Sequence, residues 1–399
     1  MYSKKEIKVP RENIILNLPG FTVKKVSGYN PVVYDVRYRK KPRCPHCGCG
    51  RLRKKSSCMR QVHHEPVGFR RSLLRFKSWK FRCYGCERYF NQRFPGIGLY
   101  QRATERLKEH VYFQHTQGVP QKELAQRSRL GCSTIERWYH AHYERLNSHL
   151  QNRHCPTVLG IDEHRFSKRI GFATTFCDLR KHKVFDIAPG RSGASLFQFL
   201  SELRGKERVK VVCIDLSSSY LSIIKRYFPN AKIVADRFHV IRLINHMTMQ
   251  AYQQLDPNIK YQRGLLRVLR MKPEKLTYKD KVKRSEYFKL QPAIKILYEF
   301  KQGLHTLLCK KGLNPSAVKQ HIPDFLEKVN LLKESAIEPL AKLGRTLYKW
   351  REEIARMWRF SKNNGITEGF HRKMKLIQRR AYGFKNFENY RLRVKVLCA

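Results

Sequence analysis

The chain has 399 residues, room for two or three domains, and 83 lysines and arginines against 31 acids give it a formal net charge of +52. With 41% hydrophobic and 12% aromatic residues it is no disordered basic tail, and no apolar run reaches the roughly 20 residues of a membrane-spanning helix. A charge this large calls for a polyanionic partner, and nucleic acid is the usual one. The opening MYSKKEIKVPREN lacks the apolar segment of a signal peptide, so a cytoplasmic chain with reduced thiols is expected. Its twelve cysteines then point to metal or to plain burial, not to disulfides.

Residues 1–100 read as a small β-rich module, with alternating stretches at 13–18 and 29–38. Cys44 and Cys47 form one C-x-x-C knuckle, and Cys83 and Cys86 form a second. Four thiolates at this spacing complete a closed tetrahedral zinc shell, which contributes folding energy and not catalysis. His46, Cys49 and Cys58 compete for places in that shell. Between the knuckles, SLLRFKSWKFR at 72–82 alternates apolar and basic residues as a hairpin strand does.

Residues 101–150 change to helical signals, at 104–116, in QKELAQRSR, and in STIERWYHAHYERL from Ser133 onward. Ser133 followed by Glu136 reads as a capping box. Two short helices joined by the glycine-bearing turn at 130–132 predict a helix-turn-helix, whose recognition helix would present Ser133, Arg137 and His140 to DNA.

The stretch 157–178, TVLGIDEHRFSKRIGFATTFCD, organises the rest of the chain. Its short apolar run reads as a buried strand with Asp162 and Glu163 at or near the carboxyl end. A neighbouring antiparallel strand at 171–178 and a third at 183–187 follow. Then come a helix at 192–203, a strand at 209–214 ending in Asp215, a helix at 217–228, and a strand at 231–235 ending in Asp236. The pattern predicts a mixed α/β sheet, in which functional groups gather beyond the carboxyl ends of the strands. Residues 240–360 read as an all-α, basic, proline-punctuated insertion. In 363–391, Asn364 or Thr367 would cap a helix carrying Glu368. Carboxylates gathered in so basic a chain suit divalent ions, which hold oxygen ligands and drive phosphoryl transfer.

GIDE at 160–163, CID-x-x-x-x-Y at 213–220, FPNAKIVADRFHVI at 228–241 and NGITEGFHRKMKLIQRRAYGFKNF at 364–387 together resemble bacterial insertion-sequence transposases, most closely the ISL-three family. The cysteine knuckles and the helix-turn-helix fit that family's layout. The resemblance implies a ribonuclease-H-like mixed-sheet core at 151–240, interrupted by the all-α insertion at 241–360 and completed at 361–399. It implies a catalytic triad of Asp162, Asp215 and Glu368 holding Mg2+ or Mn2+, besides the Zn2+ of the knuckles. Asp236 and His239 match a D-x-x-H signature, and Asp236 is the alternative second aspartate. Glu163 is expected beside the site, not as a ligand. The implied activity is cleavage and joining of double-stranded DNA, at terminal inverted repeats and target, by a dimer or larger assembly on the nucleoid. A non-catalytic DNA-binding regulator and a host nuclease of the same fold are the alternatives.

Overall fold

Alternation of apolar with basic residues, and its failure at two places, sets the strands of the N-terminal part. The computed structural model describes residues 16–150, 153–168, 170–360 and 365–399. It divides into two units, one of residues 1–148 with 379–383, the other of 149–378 with 384–399. In the first unit β1 (Phe21–Ser27), β2 (Val32–Tyr38), β3 (Leu52–Val67), β4 (Arg70–Cys83) and β5 (Tyr89–Asn91) form one sheet, ordered β1-β2-β4-β3 with β5 also on β4. Phe21, Phe76 and Phe94 meet edge-on or tilted at 4.9–5.7 Å in its core. The strand expected at 13–18 is not formed at 16–18, and 13–15 lie outside the described residues. Pro19-Gly20 breaks the chain there, Gly20 taking φ +80°, and the first strand starts at Phe21. β3 escaped the sequence reading because residues 53–59 are exposed on both faces. Its partner β4 holds that half by backbone bonds.

His64, on β3, is the buried polar anchor of this unit. Its Nε2 lies 2.9 Å from the Leu16 carbonyl and its Nδ1 3.0 Å from Thr104 Oγ1, which also accepts the Leu107 N–H. A neutral ring satisfies all three contacts. Burial, reinforced by Arg106 and opposed by the Leu16 carbonyl, pushes its pKa down to about 4. The unfolded chain therefore takes up this proton first as pH falls, so the stabilisation is full above about 6.5 and is lost on the way to about 4. Thermal midpoints between pH 7.5 and 4 should fall less steeply for His64→Gln than for the parent; parallel profiles would rule His64 out as the cause.

Helices follow in the same unit: α1 (Glu105–Thr116), capped by Thr104, α2 (Gln121–Ser128) and α3 (Cys132–Ser148). Leu107, Val111, Leu124, Ile135, Tyr139 and Tyr143 are buried among them, and the His115 ring stacks on Tyr139 at 3.9 Å.

The second unit is a five-stranded sheet in the order β10-β9-β6-β7-β8. β6 (Val158–Ser167), β7 (Gly171–Asp178) and β8 (Lys183–Pro189) form an antiparallel meander, and β9 (Val211–Ile214) and β10 (Lys232–Ala235) extend it in parallel. Period-two alternation gives each strand two buried faces. Leu159, Ile161, Val212 and Ile214 share one core with α4 (Gly193–Glu202), α5 (Ser218–Tyr227) and α6 (Arg237–Leu255). Phe166, Ala173 and Cys213 share the other with α13 (Gly365–Arg380) and α14 (Phe387–Leu397).

Between these lies the all-helical segment: α7 (Arg263–Arg270), α8 (Tyr278–Leu290), α9 (Pro292–Cys309), α10 (Pro315–Lys333), α11 (Glu338–Lys349) and α12 (Arg351–Arg359). It is bolted to the sheet by Arg237, whose buried guanidinium donates to the carbonyls of Leu308, Lys310 and Met357 at 2.5–3.1 Å. That residue opens α6, so the insertion fixes the helix start immediately beyond β10.

Candidate functional site

Each cysteine knuckle closes in the same way. The residue after its second cysteine is left-handed, Gly48 at φ +73° and Glu87 at φ +57°. The Cys44 carbonyl accepts the Gly48 N–H at 2.9 Å, and Cys83 Sγ accepts the Gly85 N–H at 3.3 Å. The four Sγ atoms of Cys44, Cys47, Cys83 and Cys86 lie within 4.8 Å of one another, with Cys44–Cys86 and Cys47–Cys83 each at 3.5 Å. A zinc shell with Zn–S near 2.3 Å spaces its sulfurs by about 3.8 Å, so the cluster fits that ion. His46, Cys49 and Cys58 are not in the cluster; Cys49 Sγ instead accepts the Arg51 N–H at 3.4 Å.

In the helical hairpin, α2 ends at Arg129 in the left-handed region, φ +48°, and α3 starts at Cys132. Ser133 therefore lies inside the first turn and does not cap it: the N–H groups of Thr134 and Ile135 bond the Gly131 carbonyl. Nor does Glu136 close a capping box. Its carboxylate meets Gln121 at 3.4 Å and His140 at 3.9 Å. Gly131, whose carbonyl takes these first bonds, lets the helix begin one residue early. Ser133 and Arg137 are exposed one turn apart and His140 is half-buried; the Arg137 guanidinium folds back on the Ser133 carbonyl and Thr134 Oγ1 at 3.4 Å.

The acids come from three strands. Asp162 is not at the end of its strand as expected, because β6 runs on to Ser167. Its parallel neighbour β9 pairs only as far as Gly160, while β7 continues alongside, with Thr175 opposite Asp162. The carboxylate thus stands where the sheet loses a strand on one side. Asp215 follows β9 and Asp236 follows β10, where Asp236 caps α6 by accepting the Phe238 N–H at 3.4 Å. One turn into α6, His239 Nε2 lies 3.1 Å from Asp215 Oδ1 and 3.7 Å from Asp236 Oδ2. Donor atoms of Asp162, Asp215 and His239 all lie within 4.8 Å of one another.

Burial, then the charge of Asp236, Glu163 and Glu368, pushes Asp162 up to about 7 against the Glu163 N–H that it accepts at 2.8 Å. Burial and the charges of Asp162, Asp236 and Glu163 push Asp215 up to about 8. Asp215 Oδ1 is buried and makes no aligned hydrogen bond, its polar neighbour being the His239 imidazole at 3.1 Å. Two packed acids whose donor atoms converge with an imidazole nitrogen within 4.8 Å supply oxygen ligands to a hard divalent cation, so these residues fit Mg2+ or Mn2+. Glu163 is drawn aside by Arg191 at 3.4 Å. Glu368 stands half-exposed on the first turn of α13, paired with Arg372 at 3.3 Å; it reaches Asp162 through its charge but is not in the three-residue cluster. Thr367 is buried within α13 and not its cap, and Asn364 lies outside the described residues. A cleft of about 880 Å³ adjoins Asp215 and His239, with Arg242, His246 and Arg270 on its walls.

Two residues that matter here were not singled out from sequence. Arg237 is one. The other is His371, one turn after Glu368, whose Nδ1 lies 3.7 Å from Asp162 Oδ2; the spacing of Glu368 and His371 on one helix face was the available signal.

A cluster of two aspartates and a histidine in a chain of charge +52, together with a helical hairpin of helix-turn-helix type, is the pattern of DNA-acting proteins. Comparison narrows it. Residues 159–394 match a family model described as a transposase, and residues 92–143 match the helix-turn-helix domain of transposase family ISL3. The chain belongs to that family, as its motifs led us to expect. It is also similar to the transposase for insertion sequence element IS1001 from Bordetella parapertussis, with 26% identity over 367 residues, 88% of this chain and 87% of the relative. No described helix is long and apolar enough to cross a membrane.

Proposed function

We propose that this chain is a DDE transposase that binds the terminal inverted repeats of an insertion sequence, cleaves DNA there and joins the freed end to target DNA. The observation that carries this reading is the meeting of Asp162, Asp215 and His239 donor atoms, from a strand, a strand end and the next helix, within the transposase-matching region. The meander followed by two parallel strands supports a ribonuclease-H-like core at 151–240, with 241–360 as its insertion and 361–399 its closing part; 1–100 is the zinc module and 101–150 the helix-turn-helix.

Asp162 and Asp215 would hold two Mg2+ or Mn2+ ions, with Glu368 on one of them; such ions activate an attacking oxygen and stabilise the leaving one. Asp236 holds the start of α6 and keeps His239 turned to Asp215. Arg242, His246 and Arg270 line the cleft where a phosphodiester backbone would lie. Cys44, Cys47, Cys83 and Cys86 would hold one structural Zn2+. A protein that joins two DNA ends works on DNA as a dimer or larger assembly.

Element ends are chosen by α3. Arg137→Ala should weaken binding to terminal-repeat duplex by roughly 1–3 kcal/mol if the guanidinium reads a base, or lower the salt slope by about one if it meets a phosphate. Ser133 and His140 flank that contact. Fluorescence anisotropy across salt concentrations makes the measurement, and unchanged affinity and slope would remove α3 from the recognition role.

A further inference from the structure

A line of buried polar groups leads from the C-terminal helix to Asp162. Tyr390 OH on α14 lies 2.9 Å from His164 Nε2. His164 Nδ1 lies 3.0 Å from Thr175 Oγ1, Thr175 Oγ1 lies 3.1 Å from His371 Nε2, and His371 Nδ1 faces Asp162 Oδ2 at 3.7 Å. Tyr390, His164 and Thr175 are buried. The residues come from four elements, β6, β7, α13 and α14. Alternation puts Asp162 and His164 on one face of β6, and antiparallel register sets Thr175 directly opposite Asp162.

The chemistry of the groups gives this line a direction. Each neutral imidazole has one donor and one acceptor nitrogen, and a hydroxyl donates one hydrogen. If Tyr390 donates to His164 Nε2, then His164 Nδ1–H donates to Thr175 Oγ1, and the Thr175 hydroxyl donates to His371 Nε2. His371 must then carry its hydrogen on Nδ1, the nitrogen facing Asp162. In the opposite direction Tyr390 accepts from His164, and its own buried O–H loses the contact it has. A buried donor without a partner is costly, so the phenol sets the polarity. Thr175 Oγ1 also lies 4.0 Å from Met374 Sδ, a weaker acceptor than an imidazole nitrogen.

We propose that His371 is a positioning residue for Asp162, and that Tyr390, His164 and Thr175 lock it in the Nδ1–H tautomer. The inference rests on reading Asp162 as a metal-holding carboxylate. The locked ring presents an N–H to Oδ2, while the Glu163 N–H bonds Oδ1 at 2.8 Å. The carboxylate is thereby bonded at Oδ1 and faced by an N–H dipole at Oδ2, 3.7 Å away, which favours one rotamer before any ion or DNA arrives. Partners of this kind, behind a metal-holding carboxylate, are worth roughly 10- to 100-fold in metal affinity or activity.

The test uses the full chain with nitrogen-15-labelled histidine, Mn2+ as the probe ion, and terminal-repeat DNA. In the parent, nitrogen shifts should show His371 protonated on Nδ1. Tyr390→Phe and Thr175→Val should move it toward the Nε2–H form and weaken Mn2+ binding, followed by electron paramagnetic resonance, by roughly 10-fold or more. His371→Asn, whose amide N–H replaces Nδ1–H, should stay within a few-fold of the parent, while His371→Leu should lose as much as Thr175→Val. DNA affinity should be unchanged in all four. Should the tautomer be Nε2–H in the parent, or Asn do no better than Leu, the proposal is overturned. Because tautomer and Mn2+ binding are read without cleavage, a parent that binds the ion as expected but cuts no DNA would overturn the transposase reading and leave this one standing.

Discussion

Alanine at Asp162, Asp215 or Glu368 is expected to lower DNA cleavage by several orders of magnitude while leaving element-end binding intact. On the proposed reading each substitution takes away an oxygen that would hold an ion, and two ions could not be held by what remains. Binding would rest elsewhere, on the helix-turn-helix and on basic residues that neutralise phosphates. Asp236→Ala is the informative companion. Asp236 caps α6 and lies 3.7 Å from His239, so its loss costs a cap worth about 1 kcal/mol and loosens His239. Cleavage should fall by less than for Asp215→Ala. If Asp215→Ala cleaved normally and Asp236→Ala were dead, the second metal-holding aspartate would be Asp236.

The second large effect concerns folding. Cys83→Ser combined with Cys86→Ser removes half of the thiol cluster. Structural zinc in such sites contributes on the order of 10 kcal/mol near neutral pH, more than a small β module can lose. The full chain should bind about one zinc ion, and the double variant none. The variant should lose the cooperative unfolding of its N-terminal unit and, with it, element-end binding. A double variant that kept the parent's unfolding profile would refute a structural zinc site.

Much of this was legible from residue order because strands and acids follow a short-range rule: an apolar run, then a carboxylate. Asp215 and Asp236 obey it. Asp162 also follows such a run but does not end its strand, since β7 sustains β6 for several residues after β9 stops, and only pairing in three dimensions reveals that. β3 was silent because half of it is polar on both faces. The capping box at Ser133 failed through a one-residue shift at Gly131, which no side-chain pattern records. His371 and Arg237 stayed hidden for a different reason. Their partners lie 196 residues away at Thr175 and 71 to 120 away at Leu308, Lys310 and Met357, and long-range contacts leave no periodic trace. The family motifs, in contrast, carried the recognition because several occur together in order.

Strand transfer separates a transposase from a DNA-binding regulator. The parent protein would be incubated with Mg2+ or Mn2+, a labelled duplex ending in the terminal repeat that flanks its own gene, and a supercoiled target plasmid. The expected result is a freed 3′-hydroxyl at the repeat and labelled DNA covalently joined to the plasmid, both abolished by EDTA and by Asp162→Ala. Tight, sequence-specific binding with no cut and no joined product, under either ion, would mean that the protein is a DNA-binding regulator and not a transposase.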